Sequence, residues 1–149
     1  MKKFVKPKSE FDQKIIDIRR VARVVAGGRR FSFSVALVAG DRKGRVGFAV
    51  AKAGDTSLAI EKAFRGAKKN MVKLNLTKDF SIPFAVEAKT TSSRVFMKPT
   101  VKGKGLTAGS SVRVVLELAG VKDINAKIIS RSKNKINNAR AALKALAEF

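Results

Sequence analysis

The sequence predicts an α+β chain of two small domains, and three observations carry that prediction. β-Branched residues gather in short runs between glycine-rich breaks, as strands do. Apolar residues elsewhere recur every three or four positions, as on one face of a helix. Strand-like and helix-like segments do not alternate strictly, as βαβ units would require. The length of 149 residues suits one or two such domains. A hydrophobic content of 45% supplies a packed core despite the high charge.

Residues 1–13 are polar and basic, contain Pro7, and read as a loose arm. The opening Met1-Lys2-Lys3 is like the start of a signal peptide, but no apolar stretch or cleavage site follows it. From Lys14 to Ala26, Ile15, Ile16, Ile18, Val21, Val24 and Val25 predict a first strand. Gly27-Gly28 permits a sharp reversal, because glycine tolerates positive φ. Arg29 to Ala39 predicts a second strand, with Phe31, Phe33, Val35 and Leu37 alternating against Arg30, Ser32 and Ser34. Gly40-Asp41-Arg42-Lys43-Gly44 forms a turn, and Arg45 to Ala53 a third strand, which makes an antiparallel meander. Asp55 is the expected N-cap of a helix from about Thr56 to Lys73. Ile60, Phe64, Ala67, Met71 and Leu74 would form its buried stripe. The first domain is thus expected over 14–74, with 75–82 as linker and a second domain over 83–149.

That second domain opens with two short strands, near Pro83–Lys89 and Ser93–Pro99. After a loop from Thr100 to Gly105, Ser110 or Ser111 is expected to cap a helix that runs to about Leu118 and ends at Gly120. Asp123 to Ser130 predicts a further strand, and Lys135 to Ala147 a last helix with Ile136, Ala139, Leu143 and Leu146 on one face.

Charge dominates the functional reading. The chain has 33 Lys plus Arg against 11 Asp plus Glu, a formal net of +22. Such a density repels itself and calls for a polyanion, of which nucleic acid is the commonest; an anionic membrane surface and acidic proteins are the rivals. Cysteine is absent, which excludes disulfides, thiol catalysis and cysteine-held zinc. Histidine is absent too, removing the usual general base and the commonest metal ligand. No apolar run approaches the roughly 18–20 residues of a membrane-spanning helix. The expectation is a soluble, cytoplasmic protein with no catalytic residues, no metal, no cofactor and no small-molecule substrate.

Three constellations are candidates for binding. Arg19, Arg20 and Arg23 precede the double glycine, and Arg29 and Arg30 follow it. Guanidinium forks suit bidentate phosphate contact, although a solvated strand end would look the same. The helix run Lys62-Ala63-Phe64-Arg65-Gly66-Ala67-Lys68-Lys69 has a basic face beside a three-stranded sheet, as double-stranded-RNA-binding domains do; an ordinary amphipathic helix is the bland alternative. The third, Pro99 to Ser111, places Gly103, Gly105 and Gly109 before a helix, where backbone N–H groups can meet an anion. It is loosely similar to the phosphate loop of small-molecule kinases. Yet it is not a Walker loop, and Glu87, Glu117 and Asp123 fall in no motif that would hold magnesium. Phe31, Phe33 and Phe48 can stack on unpaired bases, but phenylalanine at strand periodicity is more often core. Core is expected for most of the ten phenylalanines, and with it recognition by shape and phosphate.

Two stretches go beyond generic pattern. Gly27-Gly28-Arg29-Arg30-Phe31-Ser32-Phe33, followed by Gly40 to Phe48, closely resembles the signature of the small-subunit ribosomal protein S-five family. Ser93 to Pro99 and Ala108 to Val121 are similar to that family's carboxy-terminal domain, and the similarity runs in order from about Lys14 to Leu146. The resemblance implies a double-stranded-RNA-binding-like amino domain and a carboxy domain with a left-handed βαβ crossover. The kinase likeness follows, since that superfamily shares the carboxy-domain architecture. The resemblance also implies binding to small-subunit ribosomal RNA, a role in holding head and body together, ribosomal proteins S-four and S-eight as neighbours, and an effect on decoding accuracy. Arg19, Arg20, Arg23, Gly27, Gly28, Arg29 and Arg30 match the family's RNA-contacting loop. Arg42, Lys43, Arg45, Lys52, Lys62, Arg65, Lys68, Lys69, Arg94, Lys102, Lys104, Arg131 and Lys133 complete the expected RNA-binding set. Gly103, Gly105 and Arg113 match the region that faces S-four. The arm shows no family pattern, and contacts made by the longer tail of many relatives are not carried over. A phosphate-loop kinase or a free basic nucleic-acid-binding protein remains the alternative at this point.

Overall fold

The computed structural model of the protein describes residues 10–149. The expected arm lies outside that range as far as Ser9, and its last two residues, Asp12 and Gln13, already belong to the first strand. Strands β1 (Asp12–Val25), β2 (Gly28–Gly40), β3 (Arg45–Ala53) and β4 (Met71–Lys73) form an antiparallel sheet in that order. Helix α1 (Thr56–Lys69) joins β3 to β4 and packs on one face of the sheet. Asp55 caps it as expected, accepting from the Thr56 N–H at 2.7 Å.

Two details depart from the periodicity. The helix ends four residues early, because Asn70 closes it and the chain folds back along β3 as β4, a strand the sequence pattern did not suggest. Gly47 makes room: a Cβ there would lie 2.1 Å from the Ala67 carbonyl oxygen. The buried stripe of α1 is also turned by one residue. Ala59, Ala63 and Ala67 are buried, while Ile60, Phe64 and Met71 pack at the border. Three alanines let the helix sit close to the sheet.

The second sheet has the order β5-β6-β8-β7, built from β5 (Val86–Thr90), β6 (Ser93–Pro99), β7 (Leu106–Thr107) and β8 (Ile124–Ile128). Only β7 and β8 run parallel, joined through α2 (Ser110–Ala119), so the expected βαβ crossover has these three elements. With two residues, β7 carries no hydrophobic period, and it follows directly on the expected Thr100–Gly105 loop. Gly109, not Ser110 or Ser111, is the N-cap of α2, and it offers no side-chain bond. Gly120 ends the helix at φ 84°, the left-handed conformation expected of it. Helix α3 (Lys135–Leu146) is capped by Asn134, whose side chain accepts from the Ile136 and Asn137 N–H groups.

One hydrophobic cluster spans both sheets. Val35, Leu37 and Ala39 of β2 point to α1, whereas Ala36 and Val38 point to the second half, against residues of α2 and α3. The end of β2 is therefore buried on both faces, which explains its unbroken apolar run. Leu74 and Ile82, at either end of the 75–82 segment, are buried in the same cluster. The turn between β2 and β3 is also bonded to the C-terminus of α2. The Arg42 N–H donates to the Leu118 carbonyl and the Gly44 N–H to that of Ala119, both at 3.0 Å.

Candidate nucleic-acid interface

Pairing of β1 with β2 runs from Asp12↔Gly40 to Val25↔Gly28, but β3 joins β2 only from Phe33 onward. The stretch Val21–Val25 against Gly28–Ser32 is consequently a two-stranded ribbon projecting past the third strand. Its reversal is the two-residue loop Ala26-Gly27, with Gly28 at φ 128°. Register settles which side chains share a face, because directly opposed residues lie on the same side of a sheet. Arg19, Arg23 and Arg30 are on the side of the second half, and Arg20 and Arg29 on the side of α1. Arg23 and Arg30 are directly opposed, a like-charge pair that costs the free ribbon about 0.2–1 kcal/mol. Among the described residues, Arg20, Arg23, Arg29 and Arg30 have no carboxylate partner, so their charge is available to an external anion.

Arg19 differs. Its guanidinium bonds to Asp17, which also meets Lys135 at 3.6 Å. This link draws the start of α3 toward the base of the ribbon. Arg94 is tied to the same neighbourhood, since its N–H donates to Ser130 and its carbonyl accepts from Ile129. Arg94 pairs with Glu87 at 2.6 Å, whereas Arg131 and Lys133 stand exposed after β8. Lys135 belongs with this group, and sequence reasoning missed it. Its only signal is Asn134, the cap that places it in the first helical turn.

Other expected cations lie elsewhere. Lys52, Lys62, Arg65 and Lys69 line one groove between β3 and α1, floored by Ala49, Val50, Ala51 and Gly66. Arg65 is shared with Glu61 at 2.7 Å, and Lys68 instead covers the rings of Phe64 and Phe11. Arg42, Lys43 and Arg45 sit at the far end of β2 from the arginine loop, roughly 40 Å away at about 3.3 Å per residue. Arg45 bonds to Asp41 at 2.7 Å and to Glu10 at 3.2 Å, which raises the guanidinium pKa still further. Asp41 is nearly covered; burial pushes its carboxyl up, but bonds from the Arg45 side chain and the Lys43 and Arg45 N–H groups outweigh that and hold it below the ordinary value.

In the glycine-rich segment, the Gly103 and Gly105 N–H groups donate to Asp123, at 3.2 and 2.8 Å. The protein's own carboxylate thus occupies the anion position that these glycines were expected to offer. Lys102 is held by Asp79 at 2.7 Å, while Lys104 stands exposed with no acidic partner among the described residues. Gly105 and Arg113 line a cavity of about 520 Å³ with Arg42, Glu117 and Lys122; Gly103 lies outside it. The three carboxylates considered for phosphoryl transfer are separately engaged: Glu87 with Arg94, Glu117 with Lys14, Asp123 with the loop. No three His, Cys, Asp or Glu side chains come together among the described residues.

Phenylalanine burial overturns one expectation. Among the described residues only Phe48 is buried; Phe33 is half-buried and Phe31 is 51% exposed. Phe31 and Phe33 occupy the ribbon and its base, where no helix covers the sheet fully.

A basic α+β scaffold with a projecting arginine ribbon, and with Glu87, Glu117 and Asp123 engaged in structural bonds, has the character of a nucleic-acid-binding class of protein. Comparison with known proteins narrows that class. Residues 11–75 match the family described as "Ribosomal protein S5, N-terminal domain", and residues 88–149 match "Ribosomal protein S5, C-terminal domain". The chain is 48% identical over 140 residues to "Small ribosomal subunit protein uS5" of Treponema pallidum (strain Nichols), covering 94% of this chain and 80% of that one. It is 42% identical over 151 residues to "Small ribosomal subunit protein uS5c" of Gracilaria tenuistipitata var. liui, covering 99% and 87%. Against "Small ribosomal subunit protein uS5c" of Rhodomonas salina it is 44% identical over 147 residues, covering 99% and 87%. The chain belongs to the ribosomal protein S5 family.

Proposed function

We propose that this protein is a structural constituent of the small ribosomal subunit that binds small-subunit ribosomal RNA by electrostatic clamping. It is not an enzyme, in keeping with its family. The observation that carries the reading is the set of exposed arginines Arg20, Arg23, Arg29 and Arg30, which have no carboxylate partner among the described residues and are held on a ribbon that has no core of its own. Arg131, Lys133 and Lys135 extend that surface from the second half, and Lys52, Lys62 and Lys69 offer a second cationic groove. The finer reading divides the chain at 75–82, places it in the cytoplasm, and sets ribosomal proteins S-four and S-eight beside it. It further assigns the protein a part in holding head to body and in translational accuracy. The cavity at Gly105 and Arg113 supports a protein neighbour there, since its mixed lining of Arg42, Leu106, Glu117 and Val121 suits a polypeptide surface.

Two measurements test the proposal. On a sucrose gradient of cell lysate the protein should sediment with the small subunit; a free pool that leaves the ribosomal fractions empty refutes it. Binding to ribosomal RNA should fall with salt, at a log–log slope of about −0.7 to −0.9 per neutralised phosphate. Arg29→Ala with Arg30→Ala should weaken binding without unfolding the protein, and unchanged affinity would remove the ribbon from the interface.

A further inference from the structure

The two faces of the ribbon differ in chemistry. On the side of the second half lie Arg19, Val21, Arg23, Arg30, Ser32 and Ser34, a polar and cationic surface. On the opposite side, Val24 is 78% exposed, Phe31 51% and Ile18 46%, with Arg20 and Arg29 among them. Ala22 is directly opposed to Phe31, so the cross-strand neighbour is too small to cover the ring. The Arg20 guanidinium lies over that ring, 4.2 Å from its centroid.

An apolar patch in water is unfavourable, and one flanked by two guanidinium groups without carboxylate partners suits an occupant that is flat, apolar and anionic within a short distance. A nucleotide joins a π face to a phosphate in one unit. Guanidinium planes and aromatic rings both stack on bases, and unpaired bases are the part of RNA whose faces are free. We propose that the ribbon meets RNA with both faces: Arg23 and Arg30 neutralise phosphates on one side, while Phe31, braced by Arg20, stacks on an unpaired base on the other. The inference rests on the ribosomal-RNA-binding reading and adds to it a contact with a base, where charge and shape alone would contact only the backbone.

The test is filter binding of the full chain to transcribed small-subunit ribosomal RNA across a salt series. Wild type is compared with Phe31→Ala, Phe31→Leu, Phe31→Tyr and the double variant Arg23→Ala/Arg30→Ala. Phe31 lies beyond the last pair between β2 and β3, at Phe33↔Ala53, so its replacement leaves the core intact; circular dichroism verifies this. Phe31→Ala and Phe31→Leu should bind roughly five- to hundredfold more weakly with the salt slope unchanged, the range that base–aromatic stacking supports. Phe31→Tyr should bind as wild type does. The double arginine variant should lose about 1.4–1.8 from the magnitude of the slope, two phosphates at roughly 0.7–0.9 each. If Phe31→Ala binds like wild type while the arginine variant weakens, the stacking contact is refuted and the ribosomal-RNA reading stands. Full affinity in Phe31→Leu with loss in Phe31→Ala would mean a purely apolar contact, such as a protein neighbour, and would also refute it. A wild type whose binding ignores salt overturns the RNA reading itself.

Discussion

Replacing Gly120 with alanine should separate the two halves' attachment from the stability of either half alone. At φ 84° an L-residue pays about 1–2 kcal/mol for the left-handed conformation. A Cβ at this position would also lie 2.1 Å from the Arg42 carbonyl oxygen, a contact that backbone must relieve by moving. The movement withdraws the turn from the two α2 carbonyls it now bonds, Leu118 and Ala119. At about 0.5–1.5 kcal/mol for each lost bond, the total comes to roughly 2–5 kcal/mol. Urea unfolding reads this directly: with a slope of about 2 kcal/mol per molar, the midpoint should fall by roughly 1–2.5 M. Amide exchange at Arg42 and Gly44 should accelerate in the variant. The control is Gly54→Ala, where a Cβ meets nothing within 4 Å and φ is not positive, so stability should hold or rise slightly. If Gly120→Ala unfolds at the wild-type midpoint, or if the Gly54 variant suffers as much, the account of this junction is wrong.

Two further substitutions probe local devices. Asp41→Asn removes a carboxylate whose folded pKa is depressed, so wild type should exceed the variant in stability above the ordinary value near 3.8; that advantage should vanish as pH falls through the lower folded value. Urea midpoints collected between neutral pH and pH 3 check the sign, and an advantage that grows on acidification contradicts it. Asn134→Ala strips the cap from α3 and should cost about 0.5–2 kcal/mol, read from thermal unfolding, with Asn134→Ser retaining most of the stability.

Long, regular features could be read from residues alone. β3 begins at Arg45 and ends at Ala53, the bounds its turn glycines and alternating residues suggest, and Gly120 closes α2 where a C-terminal glycine should. What escaped was decided by tertiary neighbours. Met71 and Leu74 sit at helical spacing from Phe64 and Ala67, yet Gly47 opens a space in which hydrogen bonding to β3 wins over another turn of α1. Ser110 and Ser111 are good capping residues in sequence, but Gly109 holds the cap position and the Ser111 hydroxyl is buried. The arginine cluster was visible as a cluster. Its division between two faces was not, because that depends on the pairing register with β2, including the irregularity between Ile15 and Asp17. Likewise, no spacing rule foretold that Asp123 would reach back to Gly103 and Gly105 and fill the site those glycines form.

The grip of the β2–β3 turn on the end of α2 gives the molecule the character of a caliper. Its jaws are the arginine hairpin and the Lys102–Lys104 loop, and the gap between them is set by bonded backbone and a shared apolar filling. The separation of these two basic features is therefore a property of the fold rather than of the charges themselves.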